Sequence, residues 1–207
     1  QLATAAAAQQ ASRSGGIYTD SIVRGLSNDE SPGNTRERLS VGHGIAIFGH
    51  RPPELGGYGE NAITLKVRRQ MIELLRAKLK MHSDVEVMTG LGLGVEILAA
   101  EAASAAAVPY SVFLAFEGVE ERWPEATQRR FKELLQTARA VTIVNSEAPK
   151  TNAEFGKAMG RRDNAIIEAA KEAVLVRDPE DRTLGELQKK LERQFEEDVW
   201  VIEPNDP

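Results

Sequence analysis

The chain has 207 residues, 42% of them hydrophobic, and a formal net charge of −5 at pH 7. This length supports one well-cored domain, and the acidic balance argues against nucleic acid as a partner, because DNA-binding surfaces usually carry a basic stripe. The lack of cysteine excludes disulfides, thiolate catalysis and Cys-ligated zinc, and three histidines are too few for a His-rich metal site. No apolar run approaches the roughly 20 residues of a membrane helix. We therefore expect a cytoplasmic protein with no membrane partner, no metal and no resident cofactor.

Residues 1–40 differ in composition from the rest of the chain. They are rich in Ala, Gln and Ser and then in polar residues with Pro and Gly, without the apolar periodicity of a core element. This composition predicts either a flexible leader or an arm that orders against a partner or another subunit, with residues 17–26 (IYTDSIVRGL) as its contact segment. We therefore divide the chain into an N-terminal arm, 1–40, and a folded domain, 41–207. We expect the arm to mediate a homo-oligomer or a larger protein assembly.

From residue 44 onward, short apolar segments alternate with amphipathic ones. The predicted strands are 45–48, 85–88, 111–115, 140–144, 173–177 and 199–202. The predicted helices are 61–80, 95–107, 125–138, 155–170 and 183–197. Alternation with short links is typical of parallel strands joined by right-handed crossovers. The predicted fold class is therefore α/β, a Rossmann-like, doubly wound and mainly parallel sheet flanked by helices.

A glycine-rich turn, TGLGLGVE (residues 89–96), joins the second predicted strand to its helix. Ligands of such sheets bind at the carboxyl ends of the strands, and glycines there let backbone N–H groups approach a phosphate at a helix N-terminus. The spacing of Gly90, Gly92 and Gly94 is neither the dinucleotide fingerprint nor a P-loop. The turn therefore indicates either an anion site or close helix–strand packing. Because Glu96 would repel a phosphate, we expect it to contact a ribose hydroxyl or a reacting water, or simply to complement the helix dipole.

Two further polar stretches are expected at the same edge of the sheet. FGHRPPELGGYG (48–59) leaves the first predicted strand, and GRRDNAIIEAA (160–170) precedes the fifth. Arg161 or Arg162 could clamp a phosphate and Asn164 could contact a base or ribose, although an arginine pair on a helix also suits a solvated face.

Five stretches in chain order resemble one family. They are GHRPPELGGYG, TGLGLGVEILAAEAA, ERWPEATQRRFKELLQTA, RRDNAIIEAA and VRDPE. Over roughly 43–203 the chain resembles the YpsA-like branch of the SLOG superfamily, the Rossmann-like group that also holds the DprA and LOG proteins. The resemblance implies a pocket for a nucleotide or nucleotide-derived ligand. The matching positions are Gly49, His50, Arg51, Gly90, Gly92, Gly94, Glu96, Trp123, Arg162 and Asn164. Trp123 is expected either to wall the pocket or to be a buried structural indole.

The chain also departs from its relatives. LOG phosphoribohydrolases carry a P-G-G-x-G-T-x-x-E turn, whereas after the fifth predicted strand this chain has RDPEDRTLGELQKK, where only Gly185 and Glu186 echo that motif. The acidic charge also argues against a DprA-like role on single-stranded DNA.

Three functional hypotheses follow, and whether the protein is an enzyme stays open. The first is a sensor or carrier module for a nucleotide such as an ADP-ribose- or NAD-related molecule. The second is a structural subunit of a larger assembly, such as a viral particle, with a vestigial pocket. The third is an N-glycosidic hydrolase of nucleoside monophosphates, for which Glu96 is the catalytic candidate.

Overall fold

The computed structural model describes residues 42–205, which form a six-stranded sheet flanked by five α-helices. The strands are β1 His43–Gly49, β2 Val85–Thr89, β3 Tyr110–Leu114, β4 Ala140–Ile143, β5 Glu172–Val176 and β6 Val199–Ile202. The helices are α1 Ala62–Met81, α2 Val95–Ala105, α3 Glu125–Thr137, α4 Asn152–Ala169 and α5 Arg182–Phe195, and a short 3₁₀ turn, Pro52–Leu55, follows β1. The predicted fold class is confirmed. The predicted arm, 1–40, lies outside the described residues.

The strand order is β4-β3-β2-β1-β5-β6, and every neighbouring pair is parallel. Strands β1 to β4 therefore extend the sheet in one direction, after which the chain crosses back to place β5 on the other side of β1. Because all six strands run the same way, their carboxyl ends share one edge, where ligands of such sheets bind. We call it the carboxyl edge and the opposite one the amino edge.

Alternating side chains of the strands form two hydrophobic layers. In β1, Ile45 and Ile47 join the cluster beneath α1, α2 and α3, whereas Ala46 and Phe48 join the cluster beneath α4 and α5. Four of the five alanines of α2 are buried in the first cluster, as their small size predicts for a helix lying close to the sheet: Ala99, Ala100, Ala102 and Ala103. Among the described residues, no helix combines the length and apolarity needed to cross a membrane.

Capping residues fix where two of the helices begin. Asn61 and Thr64 form a reciprocal capping box at the start of α1. The hydroxyl of Thr151 accepts the N–H of Glu154 at 3.2 Å, so α4 begins three residues before the predicted position at 155. This extra turn matters because it brings Asn152 to the carboxyl edge.

Candidate functional site

A cleft of about 370 Å³ opens at the carboxyl edge, between the loops that follow β1, β2 and β3 and the first half of α4. We call it the carboxyl-edge cleft. Seven of the ten predicted site residues line it: Gly49, Arg51, Gly90, Gly92, Glu96, Trp123 and Arg162. The fold therefore brings together residues from loops that are far apart in sequence.

A buried ion pair lies on the floor of this cleft. Glu96 Oε1 accepts a hydrogen bond from Arg162 Nη2 at 2.9 Å, and Glu96 Oε2 accepts the backbone N–H of Gly92 at 2.9 Å. Arg162 also donates from Nε and Nη2 to Asp163 Oδ1, at 2.9 and 2.6 Å. Both oxygens of Glu96 are thus already hydrogen-bonded within the protein.

The Arg162 guanidinium is held firmly in its charged state. Burial by itself lowers its pKa, but the charges of Glu96 and Asp163, together with the hydrogen bonds to them, outweigh burial and raise the pKa above its ordinary value. The arginine is only 5% exposed and faces two carboxylates. The cluster therefore carries no spare positive charge.

This ion pair explains two of the glycines in the loop of residues 90–94, the glycine loop. A Cβ at Gly90 would lie 2.6 Å from Glu96 Oε2 and 2.7 Å from Arg162 Cζ, and one at Gly92 would lie 2.9 Å from Glu96 Oε2. Gly94 has a different reason, since its φ of +94° is one that L side chains rarely adopt and a Cβ there would lie 2.3 Å from the His50 carbonyl oxygen. Close packing within the protein thus accounts for all three glycines.

Three backbone N–H groups in and next to the glycine loop already have partners. Besides the Gly92 contact, the N–H of Leu91 donates to Thr89 Oγ1 at 3.2 Å, and that of Val95 donates to the His50 carbonyl at 3.0 Å. Leu91 has a φ of +51° although its side chain is completely buried, an arrangement that persists only where surrounding packing holds it. The loop is therefore ordered by the protein's own groups.

Three predicted site residues lie outside the cleft lining. His50 is buried, and its Nε2 accepts the N–H of Asp178 at 2.7 Å, so it joins the loop after β1 to the loop after β5. Gly94 makes the close turn described above. Asn164 is exposed and accepts a hydrogen bond from Lys190 Nζ of α5 at 2.6 Å. Asn164 comes two positions after Arg162 on α4, so its side chain points to a different face of the helix.

The outer wall of the cleft is largely apolar. Phe155 and Met159 line it together with Arg162, at positions i, i+4 and i+7 of α4. Trp123 contributes from the loop after β3 and also packs edge-to-face on Phe131, with ring centroids 5.3 Å apart. Trp123 therefore both lines the cleft and anchors α3. Sequence reasoning missed Phe155 and Met159, although their helical spacing from Arg162 was a usable signal.

Two arginines at the cleft remain available for a ligand. Arg51, from the loop after β1, and Arg122, from the loop after β3, both line the cleft and are exposed. Within residues 42–205 neither side chain forms a hydrogen bond or an ion pair. Arg122 was also missed from the sequence, where it stands directly before the conspicuous Trp123.

A parallel, doubly wound sheet with a polar and aromatic cleft at its carboxyl edge defines a Rossmann-like α/β domain. Within that class, a family model identifies the family of this chain. Residues 45–205 match the model of the YspA SLOG family (YpsA), and the chain belongs to that family, which confirms the predicted resemblance. A comparison with functionally curated proteins gave no significant match.

Two solved structures are similar to this chain at low identity. DNA processing protein A from Helicobacter pylori, described for its single-stranded DNA binding mode, is 14% identical, with 80% of this chain and 67% of that chain covered and a TM-score of 0.50. DNA processing protein A (DprA) from Streptococcus pneumoniae is 13% identical, with 79% of this chain and 59% of that chain covered and a TM-score of 0.47. At 14% identity the likeness to the H. pylori protein establishes the fold alone.

The expectation that nucleic acid is not a partner is wrong. The H. pylori protein of similar fold has a single-stranded DNA binding mode. The exclusion relied on the net charge of the whole chain, −5, which does not describe the charge of any single surface. The acidic composition therefore does not exclude nucleic acid.

Proposed function

We propose that the carboxyl-edge cleft binds a nucleotide or nucleotide-derived ligand, and that the protein is a sensor or carrier module. The observation that carries this proposal is the pairing, within one cleft, of an aromatic and apolar wall with two arginines that are unpaired within residues 42–205. A nucleotide has the matching chemistry, with a flat base at one end and an anionic phosphate at the other.

The aromatic wall suits the base. Phe155 is 41% exposed, and Trp123 lines the same cleft. Stacking of a base on an aromatic side chain contributes roughly 1–3 kcal/mol and does not require a particular base. The cleft volume, about 370 Å³, lies within the range of small-molecule sites, roughly 300–1,000 Å³.

The contacts of Glu96 favour binding over hydrolysis. A carboxylate that activates a water or stabilises a cationic sugar has to present an oxygen to the reacting atoms. Each oxygen of Glu96 already accepts one hydrogen bond, from Arg162 or from the Gly92 N–H, and these two contacts fix the carboxylate in place. Positioning the glycine loop and Arg162 is therefore the role that its geometry supports best.

Calorimetric titration with AMP and with ADP-ribose tests this proposal. We expect wild type to bind at least one of them, and Phe155→Ala to weaken binding about 10-fold through the loss of one stacking contact. Tyr58→Ala is the matched control, because Tyr58 is an exposed aromatic residue, at 54%, outside the lining of this cleft.

A base-release assay on nucleoside monophosphates completes the test. We expect no release by wild type. Failure to bind either ligand, or equal effects of Phe155→Ala and Tyr58→Ala, would refute the proposed site. Release that is abolished in Glu96→Gln would instead establish the hydrolase.

A further inference from the structure

We infer that the glycine loop does not hold the phosphate of the ligand: Glu96 occupies that position, and the anionic group is bound by the side chains of Arg51 and Arg122, which line the same cleft. The inference rests on the proposed nucleotide site and specifies the class and orientation of its ligand. The predicted ligand is a nucleoside 5′-phosphate whose ribose faces Glu96 and whose phosphate faces the two arginines.

The glycine loop differs from a glycine-rich phosphate site in where its N–H groups donate. In glycine-rich phosphate sites the anion accepts hydrogen bonds from free backbone N–H groups at a helix N-terminus. Here the Gly92 N–H already donates to the Glu96 carboxylate at 2.9 Å, and the Leu91 N–H donates to Thr89. A phosphate placed against Gly92 would also approach the negative charge of Glu96, which is repulsive and only weakly screened in a partly enclosed cleft.

Among the described residues, Arg162 is the only cation in direct contact with Glu96. Its guanidinium is bound to both Glu96 and Asp163 and is 5% exposed. Two carboxylates against one guanidinium leave this side of the cleft without a net positive charge. It therefore suits neutral donors such as ribose hydroxyls, which can bond to carboxylate oxygens that retain lone pairs.

Arg51 and Arg122 are two cationic side chains that line the cleft. They come from different loops, both are exposed, and neither has a side-chain partner within residues 42–205. Guanidinium groups bind phosphate through paired, charge-assisted hydrogen bonds. Two such groups lining the cleft that contains Glu96 provide an anion subsite built from side-chain donors instead of the N–H groups of the glycine loop.

The test compares adenosine with AMP, which differ only by the phosphate, on the full chain by calorimetry. We expect wild type to bind AMP about 10-fold more tightly than adenosine. Arg51→Ala and Arg122→Ala should each remove most of this preference while leaving adenosine affinity within about twofold. Arg122→Lys, which keeps the charge, should retain part of the preference. Arg129→Ala is the control, since Arg129 is an exposed arginine of α3 whose one ion pair within residues 42–205 is with Glu125.

Glu96→Gln supplies the second readout. Because the contact with the sugar is shared by both ligands, we expect the affinities for adenosine and AMP to fall together. If the glycine loop were the phosphate site, Glu96→Gln would instead raise the affinity for AMP and not that for adenosine, because it removes a charge that repels the phosphate.

The outcomes separate this inference from the proposed function. Failure of wild type to bind adenosine, AMP and ADP-ribose would overturn both, whereas binding of ADP-ribose alone would overturn only this inference. Binding of both ligands with an AMP preference that survives Arg51→Ala and Arg122→Ala would overturn only the assignment of the phosphate to these arginines. Thermal unfolding of each variant ensures that only folded proteins are compared.

Discussion

Two buried ionic clusters lie at opposite edges of the same sheet, and one of them forms the floor of the carboxyl-edge cleft. At the amino edge, Glu172 is 2% exposed and accepts hydrogen bonds from Lys78 and from His43, the latter at 2.8 Å. Rings cover this cluster: Lys78 Nζ lies 4.7 Å from the Trp200 ring centroid, and His43 stacks on His82 at 3.9 Å.

At the carboxyl edge, the pair of Glu96 and Arg162 has a similar degree of burial but forms the floor of a cleft of about 370 Å³. Buried ion pairs are thus not by themselves evidence of a binding site. What distinguishes the carboxyl edge is the open volume beside the pair and the presence of Arg51 and Arg122, which lack partners within residues 42–205. The clusters should therefore respond differently to mutation, one in stability alone and the other in stability and binding.

Arg162→Met is expected to have the largest effect. It leaves Glu96 and Asp163 without their cation in a mostly buried position, which should lower the free energy of unfolding by about 3 kcal/mol. AMP affinity should fall as well, because Glu96 and the glycine loop lose their support. Urea denaturation and calorimetry measure the two effects. Arg129→Met, at a 64% exposed side chain, should cost less than about 0.5 kcal/mol, and equal losses in both variants would contradict this account.

Glu172→Gln tests the opposite edge of the sheet. The amide keeps an acceptor for Lys78 but removes the counter-charge, so we expect a loss of about 2 kcal/mol in the free energy of unfolding. AMP affinity should stay within about twofold of wild type, because this cluster is remote from the cleft. A large loss of AMP binding by folded Glu172→Gln would show that the two edges are coupled.

Gly90→Ala is expected to have a smaller effect that is specific to the carboxyl edge. The added Cβ meets Glu96 and Arg162 at less than 3 Å, so we expect a destabilisation of about 1.5 kcal/mol. Gly160→Ala, within α4, is the matched control. Its Cβ has no neighbour within 4 Å, and alanine should stabilise the helix by about 0.8 kcal/mol. Thermal unfolding distinguishes the expected loss of stability in Gly90→Ala from the expected gain in Gly160→Ala. Stabilisation by both variants would show that the glycine loop tolerates side chains.

The elements of this fold are predictable from sequence because they depend on local patterns. Apolar runs such as 45–48 and the helical spacing in 61–80 identify strands and helices without reference to distant residues. The early start of α4 was missed because it depends on one capping hydroxyl, that of Thr151.

The candidate site was harder to predict because it depends on tertiary contacts. That Glu96 pairs with Arg162, 66 positions away, cannot be read from either motif. Without that pair, Gly90 and Gly92 suggest an empty phosphate cradle. His50 has a residue type suited to chemistry, yet its side chain turns to the loop after β5.

A two-dimensional amide NMR titration of the full chain with AMP is the sharpest test of the claim that the carboxyl-edge cleft is a nucleotide site. We expect saturable shifts of amide signals from 49–51, 90–96, 119–123 and 152–162, with signals from the amino edge, such as that of Glu172, unchanged. Shifts confined to residues away from these four segments, or no shifts at millimolar AMP, would contradict the claim.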